Sequence, residues 1–481
     1  MSDRKAFYIT TTLPYVNAEP HVGFAMEFIR ADVIARWKKL QGYDVFFNTG
    51  TDEHGQKLFD AAGDAGEGVK EYVDRYAKSF EGLAKVLGIS EDIHFIRTTD
   101  AHHEHAAQEF WKLCDQNGYI YKKNYQVKYC VGCELEKTDS ELVDGKCPIH
   151  PNRDIEQIEE ENYFFKFSAF TEKLSQFYGE KPTFVIPDFR FNEIKAFVER
   201  GLEDFSISRL KTKMSWGVPV PGDPDHVMYV WFDALVSYIS TLGWPDNKEQ
   251  FEVFWKNGTP VQYAGKDNLR QQSAMWQAML MAAGLPNSDQ IVINGHITGG
   301  GGVKMSKSIG NVVNPYDVVA EYGTDALRYF LLREVSSFED SPFTMERFKE
   351  SYNSGLANGL GNLTSRIMKM AEDNLDLPVT IPEWENLDSY YECFENFDLK
   401  KACDCIWGQI AVLDQTIQDK KPFKVVKEDK EAGQKMITDL VIGLSAIRRM
   451  LSSILPETSA AMKTLIEENK APQTPLFIRK D

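Results

Sequence analysis

A chain of 481 residues is too long for one ordinary hydrophobic core, and at about 150 residues per domain it predicts roughly three. Hydrophobic residues make up 43% and charged residues 26%, which excludes wholesale disorder, and the net charge of −18 disfavours nonspecific adhesion to nucleic acid while leaving room for a local basic stripe. No apolar run reaches the roughly 18 residues needed to cross a bilayer, and Met1-Ser2-Asp3-Arg4-Lys5 has no signal-peptide layout, so a cytoplasmic location is expected.

Residues 6–13 are β-branched and aromatic and predict a buried strand that ends at Pro14. A loop through Asn17 and Pro20 leads into a helix whose apolar positions Val22, Met26, Val33, Ile34, Trp37 and Leu40 keep close to a 3.6 period, with Gly42 as its C-terminal cap. Asp44-Val45-Phe46-Phe47 predicts the next strand, with Thr49–Asp52 as its exit loop. Strand, helix and strand at this spacing form a βαβ unit and argue for a parallel sheet. From about Tyr119 to Met214 turns are frequent and the predicted strands short, which marks an inserted domain. The βα pattern returns with predicted strands at 226–232, 261–264 and 291–294, so the insertion splits the sheet. From about Phe348 the pattern is helical. Leu356, Leu360, Leu363, Ile367 and Met370 step by three and four, as do Ile437, Leu440, Val441, Leu444, Ile447 and Leu451, and this predicts a helix bundle.

Two short motifs carry chemistry. Pro20-His21-Val22-Gly23-Phe24 lies between the first strand and its helix. A helix N-terminus offers free amides to phosphate, a glycine admits a ligand close to the backbone, and a histidine there can donate to a phosphate oxygen as charge develops. A lone His-x-Gly also fits a plain loop. Lys304-Met305-Ser306-Lys307-Ser308 follows the glycines 299–302, and two lysines behind a flexible hinge suit a mobile clamp on polyphosphate. Alone, that string also fits a solvated basic loop; the two motifs in this order on a βαβ frame point to a nucleotide.

A third constellation is metallic. Seven cysteines in such a chain read as thiols or metal ligands rather than disulfides. Cys130-x2-Cys133 and Cys147-x2-His150 place two ligand pairs on tight turns, and four such ligands close a tetrahedron with no position left for water, so a structural zinc is expected. Cys114, Cys393, Cys403 and Cys405 fall in helical patterns and read as buried or inert.

The sequence resembles the class I aminoacyl-tRNA synthetases and, within them, the methionine-specific family. His21–Phe24 stands at that family's HIGH motif and Lys304–Ser308 at its KMSKS motif. The likeness extends to residues 12–17 (TLPYVN), 50–55 (GTDEHG), 216–222 (WGVPVPG), 230–234 (VWFDA) and 264–267 (AGKD), and runs to about Phe477. The resemblance implies an α/β fold: a split Rossmann-like parallel sheet with an inserted zinc-knuckle domain, followed by an all-α helix-bundle domain. The expected boundaries are 1–118 and 216–300 for the two catalytic halves, 119–215 for the insertion, 301–347 for the lysine loop and stem-contact region, and 348–481 for a helical anticodon-binding domain. It implies ATP-dependent activation of L-methionine to methionyl-adenylate and transfer to the 3′ end of tRNA(Met), with Mg²⁺ accompanying ATP and no covalent enzyme intermediate. Catalysis is then positioning and charge stabilisation.

By the same resemblance His21, Lys304 and Lys307 are the catalytic residues. Tyr15, His21, Gly23, Phe24, Glu27, Gly265, Asp267, Ile297 and Lys307 would bind ATP, with Asp267 on the ribose. Leu13, Tyr15, Asp52, Trp231, Ala234, Tyr238 and Gln272 would bind methionine, with Asp52 on the ammonium and the aromatic rings near the thioether. From their residue types alone, Asp52 could instead cap a turn, and Trp231 and Tyr238 could be core. Asn362, Arg366 and Phe423 would read the anticodon, Phe423 by stacking; as plain residues they could be a solvated helix face and a core ring. The sequence departs from the family pattern at Phe24, where the motif ends in histidine, at Gln272, where a histidine is common near the sulfur, at Asn294, where some members have histidine, and at Phe423 in place of tryptophan. The chain ends soon after the bundle, so a monomer is expected, and only one knuckle is expected.

Three rival readings have their own discriminators. A synthetase for leucine, isoleucine or valine usually carries a large editing insertion, which an insertion of about 95 residues leaves no room for, and a cysteine enzyme is separated by an amino-acid panel. A small-molecule nucleotidyltransferase would lack the helix bundle and lysine loop. A non-catalytic RNA-binding module would have no need of Asp52, His21 and Lys307 together.

Overall fold

A computed structural model describes residues 4–137, 139–302, 305, 312–383 and 388–481. The chain forms two compact units, Met1–Pro20 with Lys38–Gly82 and Glu91–Ile293, and His21–Trp37 with Leu83–Ser90 and Asn294–Asp481.

The first unit is built on a six-stranded sheet in the order His94–Arg97, Asp44–Thr51, Ala6–Thr11, Thr259–Gly265, Gln290–Asn294, Val185–Ile186. Ala6–Thr11 runs parallel to both Asp44–Thr51 and Thr259–Gly265, Asp44–Thr51 to His94–Arg97, and Gln290–Asn294 to Val185–Ile186. The predicted strands at 6–13, 44–47, 261–264 and 291–294 are therefore all present. Continuous burial explains why they read as unbroken apolar runs rather than alternating ones. Between the two halves lies a four-stranded antiparallel sheet of Leu135–Lys137, Ile120–Cys130, Glu156–Phe165 and Phe205–Ser206.

The insertion differs from its sequence expectation in three ways: its strands Ile120–Cys130 and Glu156–Phe165, expected to be short, run for 11 and 10 residues, and two further departures follow. It carries two helices, Thr171–Glu180 and Asp188–Glu199, which bury Leu174 and Tyr178 and then Phe191, Ile194 and Val198 at helical spacing. It also lends Val185–Ile186 to the edge of the main sheet. A separate departure is at 226–232. The strand there is Asp223–Met228, antiparallel to Pro219–Val220 and Ser208–Leu210, and a helix begins at Val230. Gly222, at φ +77°, makes the tight reversal that turns this segment into a hairpin.

In the second unit the helix Val22–Leu40 contributes residues up to Trp37. Its sides are buried nearly all round, and Leu40, taken as apolar face, is instead 63% exposed at its end. Polar residues inside it are matched within the unit. Asp32 accepts from Arg328 Nη2 at 2.8 Å, Arg36 Nε at 2.8 Å, and the Ser90 backbone N–H and hydroxyl at 2.9 and 2.7 Å. Arg30 donates to the carbonyls of Leu331, Val335, Ser336 and Ser337. The remaining helices bury the predicted stripe: Leu356, Leu360, Leu363 and Ile367 are buried and Met370 half-buried, and Lys430–Leu451 buries all six of its predicted positions. The segment Tyr352–Gly361 has the wider turns of i→i+5 bonding before an α-helix continues over Asn362–Asn374. Side-chain caps start four helices: Asn314 accepts from Tyr316 N–H, Thr344 from Arg347 N–H, Asp398 from Lys401 N–H and Asp429 from Ala432 N–H. Among the described residues no helix is long and apolar enough to cross a membrane.

Burial alone would raise the Asp32 pKa, but Arg328 and Arg36 with the Ser90 amide hold it below the ordinary carboxylate value. A carboxyl held down in the folded state adds stability at neutral pH and loses it as pH falls through the folded value. Arg328→Ala removes the buried member of the two guanidinium partners of Asp32, leaving the partly exposed Arg36, and is expected to cost about 3 kcal/mol in chemical denaturation at pH 7. The joint change Asp32→Leu with Arg328→Met should cost much less, and the Arg328→Ala deficit should shrink below about pH 4.

Candidate active site

Past the carboxyl ends of their parallel strands, Tyr15 and Asp52 pair as an isolated parallel bridge. The Asp52 N–H donates to the Pro14 carbonyl at 2.9 Å and the Val16 N–H to the Asp52 carbonyl at 3.4 Å. Sheet register, not a free loop, thus fixes Asp52 where α/β folds bind ligands. Its carboxylate is 4% exposed, and Oδ1 has no hydrogen-bond partner among the described residues. Burial, and then the nearby charge of Asp233, push its pKa well above the ordinary value, against a hydrogen bond from the His54 backbone N–H.

The acids around Asp52 have cationic or hydrogen-bonding partners, although Asp233 Oδ1 accepts no hydrogen bond among the described residues. Glu53 is fully buried, with Arg97 in a two-pronged ion pair at 2.7 and 2.8 Å and hydroxyls of Thr51 and Thr99 donating to it. Asp233 is fully buried too, with His54 Nδ1 at 3.0 Å from Oδ2 and His103 Nε2 at 3.6 Å from Oδ1. Burial would raise Asp233, but the two imidazoles hold it below the ordinary value; the same pairing raises His54 against the lowering effect of its own burial. Glu134 accepts from the Lys57 backbone N–H at 2.8 Å and the Tyr15 hydroxyl at 3.2 Å.

Trp231 and Ala234 sit three apart on the helix Val230–Ala234; Trp231 is not on a strand as the sequence suggested. Ala234 is buried and Trp231 half-buried, its indole N–H without a hydrogen-bond partner among the described residues. Tyr238, on the next helical turn, is buried. Gln272 Nε2 donates to the Tyr238 hydroxyl oxygen at 2.7 Å, and Gln262 Nε2 donates to Gln272 Oε1 at 2.9 Å. Leu13 is half-buried, two residues before Tyr15. Gly265 closes the strand Thr259–Gly265, and Asp267 on the following turn is exposed. Tyr15–Asp52 and Tyr238–Gln272 are therefore brought together as pairs.

His21, Gly23, Phe24, Glu27 and Ile297 belong to the second unit. The Gly23 N–H donates to His21 Nδ1 at 3.0 Å, and the His21 ring stacks on Phe24 with centroids 4.4 Å apart. A Cβ on residue 23 would come within 2.7 Å of His21 Cε1, so the bond requires glycine. Glu27 and Ile297 are buried. Lys304 and Lys307, with Ser306 and Ser308, lie outside the described residues.

The four metal-ligand candidates converge. One atom each from Cys130, Cys133, Cys147 and His150 lies within 4.8 Å of every other. Cys133 Sγ is 3.4 Å from Cys147 Sγ and 3.2 Å from His150 Nδ1, and Cys130 Sγ is 3.8 Å from His150 Nδ1. Ligands about 2.3 Å from a tetrahedral zinc stand roughly 3.8 Å apart, so the donor set fits zinc. Each pair is on a turn, Cys133 N–H to the Cys130 carbonyl and His150 N–H to the Cys147 carbonyl. Gly132 is needed there, since a Cβ would strike the His150 ring at 2.5 Å. Of the other cysteines, Cys114, Cys393 and Cys403 are buried and Cys405 half-buried.

Asn362 is exposed, Arg366 is half-buried in an ion pair with Asp414, and Phe423 is 42% exposed just inside the helix Pro422–Glu428, so it is not a core ring. The sequence reading missed the Arg97–Glu53 clasp, the His54–Asp233–His103 triplet, the Glu134 contacts and Gln262. Their only sequence signal was a charged or amide residue inside otherwise apolar segments.

The family model for class I tRNA synthetases (M) matches residues 7–157 and 149–368. Together with the split parallel sheet it defines a class I aminoacyl-tRNA synthetase. A methionine–tRNA ligase of Thermotoga maritima is 41% identical over 473 residues, covering 94% of this chain and 74% of that one. One from Nostoc sp. is 38% identical over 476 residues, covering 95% and 89%. Mycobacterium tuberculosis methionyl-tRNA synthetase in complex with methionyl-adenylate matches with a TM-score of 0.90 at 35% identity, over 99% of this chain and 100% of that one. Its apo form matches with a TM-score of 0.83 at 31% identity over the whole of both chains. The chain belongs to the methionine–tRNA ligase family.

An acid raised by burial weakens the fold at neutral pH and stops doing so once protonated in both states. Asp52→Asn is therefore expected to raise the midpoint of thermal unfolding at pH 7 by about 2 °C or more, with the gain vanishing below about pH 4, while methionine-dependent activity falls at least 100-fold.

Proposed function

We propose that the chain couples ATP to L-methionine, forming methionyl-adenylate and pyrophosphate, and passes the methionyl group to the 3′-terminal adenosine of tRNA(Met). The observation that carries the methionine half is the buried, unmatched oxygen of Asp52, which calls for a cation such as a substrate ammonium. Asp52 would hold the amino group, leaving the carboxylate to attack the α-phosphate. Leu13, Tyr15, Trp231, Ala234 and Tyr238 would enclose the side chain, with Gln272 holding the Tyr238 hydroxyl as an acceptor. Sulfur against such rings is favourable by about 0.3–1.5 kcal/mol each.

For the nucleotide, the orientation of His21 is set by the Gly23 N–H at Nδ1. Because Nδ1 accepts from Gly23, the neutral ring carries its proton on Nε2, the nitrogen that would donate to a phosphate oxygen. Lys304 and Lys307 would stabilise charge on the α-phosphate. Gly23, Phe24, Glu27, Gly265 and Ile297 would enclose the adenosine, and Asp267 would accept from the ribose hydroxyls. Mg²⁺ would neutralise the triphosphate. Zinc on Cys130, Cys133, Cys147 and His150 would be structural, since four protein ligands leave no open position.

Asn362, Arg366 and Phe423 would meet the anticodon, with Arg366 exchanging Asp414 for RNA. Catalytic halves at 1–118 and 216–300, an insertion at 119–215, a lysine-loop region at 301–347 and an anticodon-binding domain at 348–481 complete the proposal. The protein would act as a monomer in the cytoplasm.

In ATP–pyrophosphate exchange with a panel of amino acids, methionine alone is expected to support turnover; no exchange, or a clear preference for another amino acid, would refute the proposal. Phe423→Ala should lower charging of tRNA(Met) about 10-fold, in keeping with roughly 1–3 kcal/mol of base stacking, while methionine-dependent exchange stays within about two-fold. Equal loss in both assays would remove Phe423 from the RNA surface.

A further inference from the structure

We propose that Glu134, the residue after the metal ligand Cys133, is a positioning residue that ties the cysteine–histidine knuckle to both walls of the methionine pocket. The inference rests on the methionine reading of that pocket. Glu134 is 4% exposed and holds φ at +53°, a conformation a residue with a side chain seldom adopts unless its surroundings impose it. It turns the chain between Cys130 and Leu135, which face each other across the antiparallel hairpin.

From this turn Glu134 reaches in two directions. Its side chain serves one wall: Oε1 accepts from the Lys57 backbone N–H at 2.8 Å and lies 3.2 Å from the Tyr15 hydroxyl, which also donates to the His54 carbonyl at 2.6 Å, while Oε2 accepts from the Tyr129 hydroxyl. Its backbone carbonyl serves the other wall, accepting from the Tyr229 hydroxyl. Tyr229 immediately precedes the helix Val230–Ala234, which carries Trp231 and Ala234. The Arg209 guanidinium lies over both tyrosine rings, with its carbon 4.8 Å from the Tyr129 centroid and 5.0 Å from that of Tyr229. The junction has no slack: a Cβ on Gly55 would fall 2.1 Å from the Tyr15 hydroxyl and 3.2 Å from Glu134 Oε1.

Ligation of Cys133 fixes the backbone from which Glu134 departs. Without the metal, Glu134 keeps its hydrogen bonds to Lys57, Tyr129 and Tyr229, but the turn loses the constraint of ligation at Cys133, and the placement of Glu134 against Tyr15 and Tyr229 loosens. The metal then acts on amino-acid affinity through Glu134 without touching the substrate.

The test uses the full chain and two variants. Glu134→Gly deletes the carboxylate yet accepts the positive φ, and Glu134→Gln keeps one acceptor oxygen. Zinc per chain is measured by mass spectrometry, methionine binding by calorimetry, and KM and kcat by ATP–pyrophosphate exchange. Glu134→Gly is expected to retain zinc, weaken methionine about 10-fold and leave the KM for ATP within about two-fold; Glu134→Gln should recover part of the loss. Removing zinc from the parent with a chelator should weaken methionine similarly, and doing so in Glu134→Gly should add little. Unchanged methionine affinity in zinc-loaded Glu134→Gly would overturn the inference. So would loss of zinc from that variant, or chelation weakening both proteins by the same factor. A parent protein that binds no methionine would instead refute the proposed function on which the inference stands.

Discussion

One carboxylate oxygen without a partner organises the first unit. Leaving a buried polar atom unmatched costs about 1–3 kcal/mol, and more when it is charged. The acids near Asp52 avoid that cost: Glu53 has Arg97 and two hydroxyls, Asp233 has two imidazoles, and Glu134 has tyrosines and a backbone amide. Among these carboxylates, Asp52 Oδ1 and Asp233 Oδ1 are left buried without a hydrogen bond from described residues, and Asp233 Oδ1 has the His103 imidazole at 3.6 Å. Because the parallel bridge to Tyr15 sets the backbone of Asp52, it is held in place rather than free to swing toward water. The charge is therefore pre-positioned for a cation, and a bound ammonium removes a penalty the empty site carries.

The far end of the pocket is governed by neutral groups. The Ser288 hydroxyl donates to Gln262 Oε1, Gln262 to Gln272, and Gln272 to Tyr238, all buried. The Tyr8 hydroxyl donates to the Tyr238 carbonyl at 2.9 Å, anchoring that turn to the central strand. In such a chain each amide has a fixed direction, since reversing one would set donor against donor. It also has no group that changes charge between pH 5 and 8, unlike the histidine common near the sulfur in this family. If methionine binds as proposed, the polarity at the thioether end would be set by geometry and that at the ammonium end by charge.

Much of the frame was legible because it follows from burial. Strands in the middle of a parallel sheet must be apolar on both faces, so 6–13, 44–47, 261–264 and 291–294 announce themselves, and a two-pair ligand spacing such as Cys130, Cys133, Cys147 and His150 has few other uses. The stretch 226–232 misled because its apolar content is the same in a strand as in a short buried helix, and the break at Tyr229 is set by packing rather than by a proline or glycine. The helices Thr171–Glu180 and Asp188–Glu199 were hidden by surrounding turn residues. The Arg97–Glu53 and His54–Asp233–His103 contacts join residues 44 to 179 apart in sequence, and no local pattern encodes which charge will meet which.

The His21-x-Gly23 spacing shows how a motif can be a single physical unit rather than three separate requirements. Gly23 supplies the N–H that occupies Nδ1, and only glycine permits it, since any Cβ would overlap the imidazole. The position of the ring, its tautomer and the direction of its remaining N–H are then set together, before any nucleotide arrives. Phe24, where the motif ordinarily ends in a second histidine, stacks on the same ring at 4.4 Å. That exchange gives His21 a hydrophobic brace. Under the proposed reading, a change that looks like damage to the motif as a string would leave one oriented donor at a helix N-terminus in place.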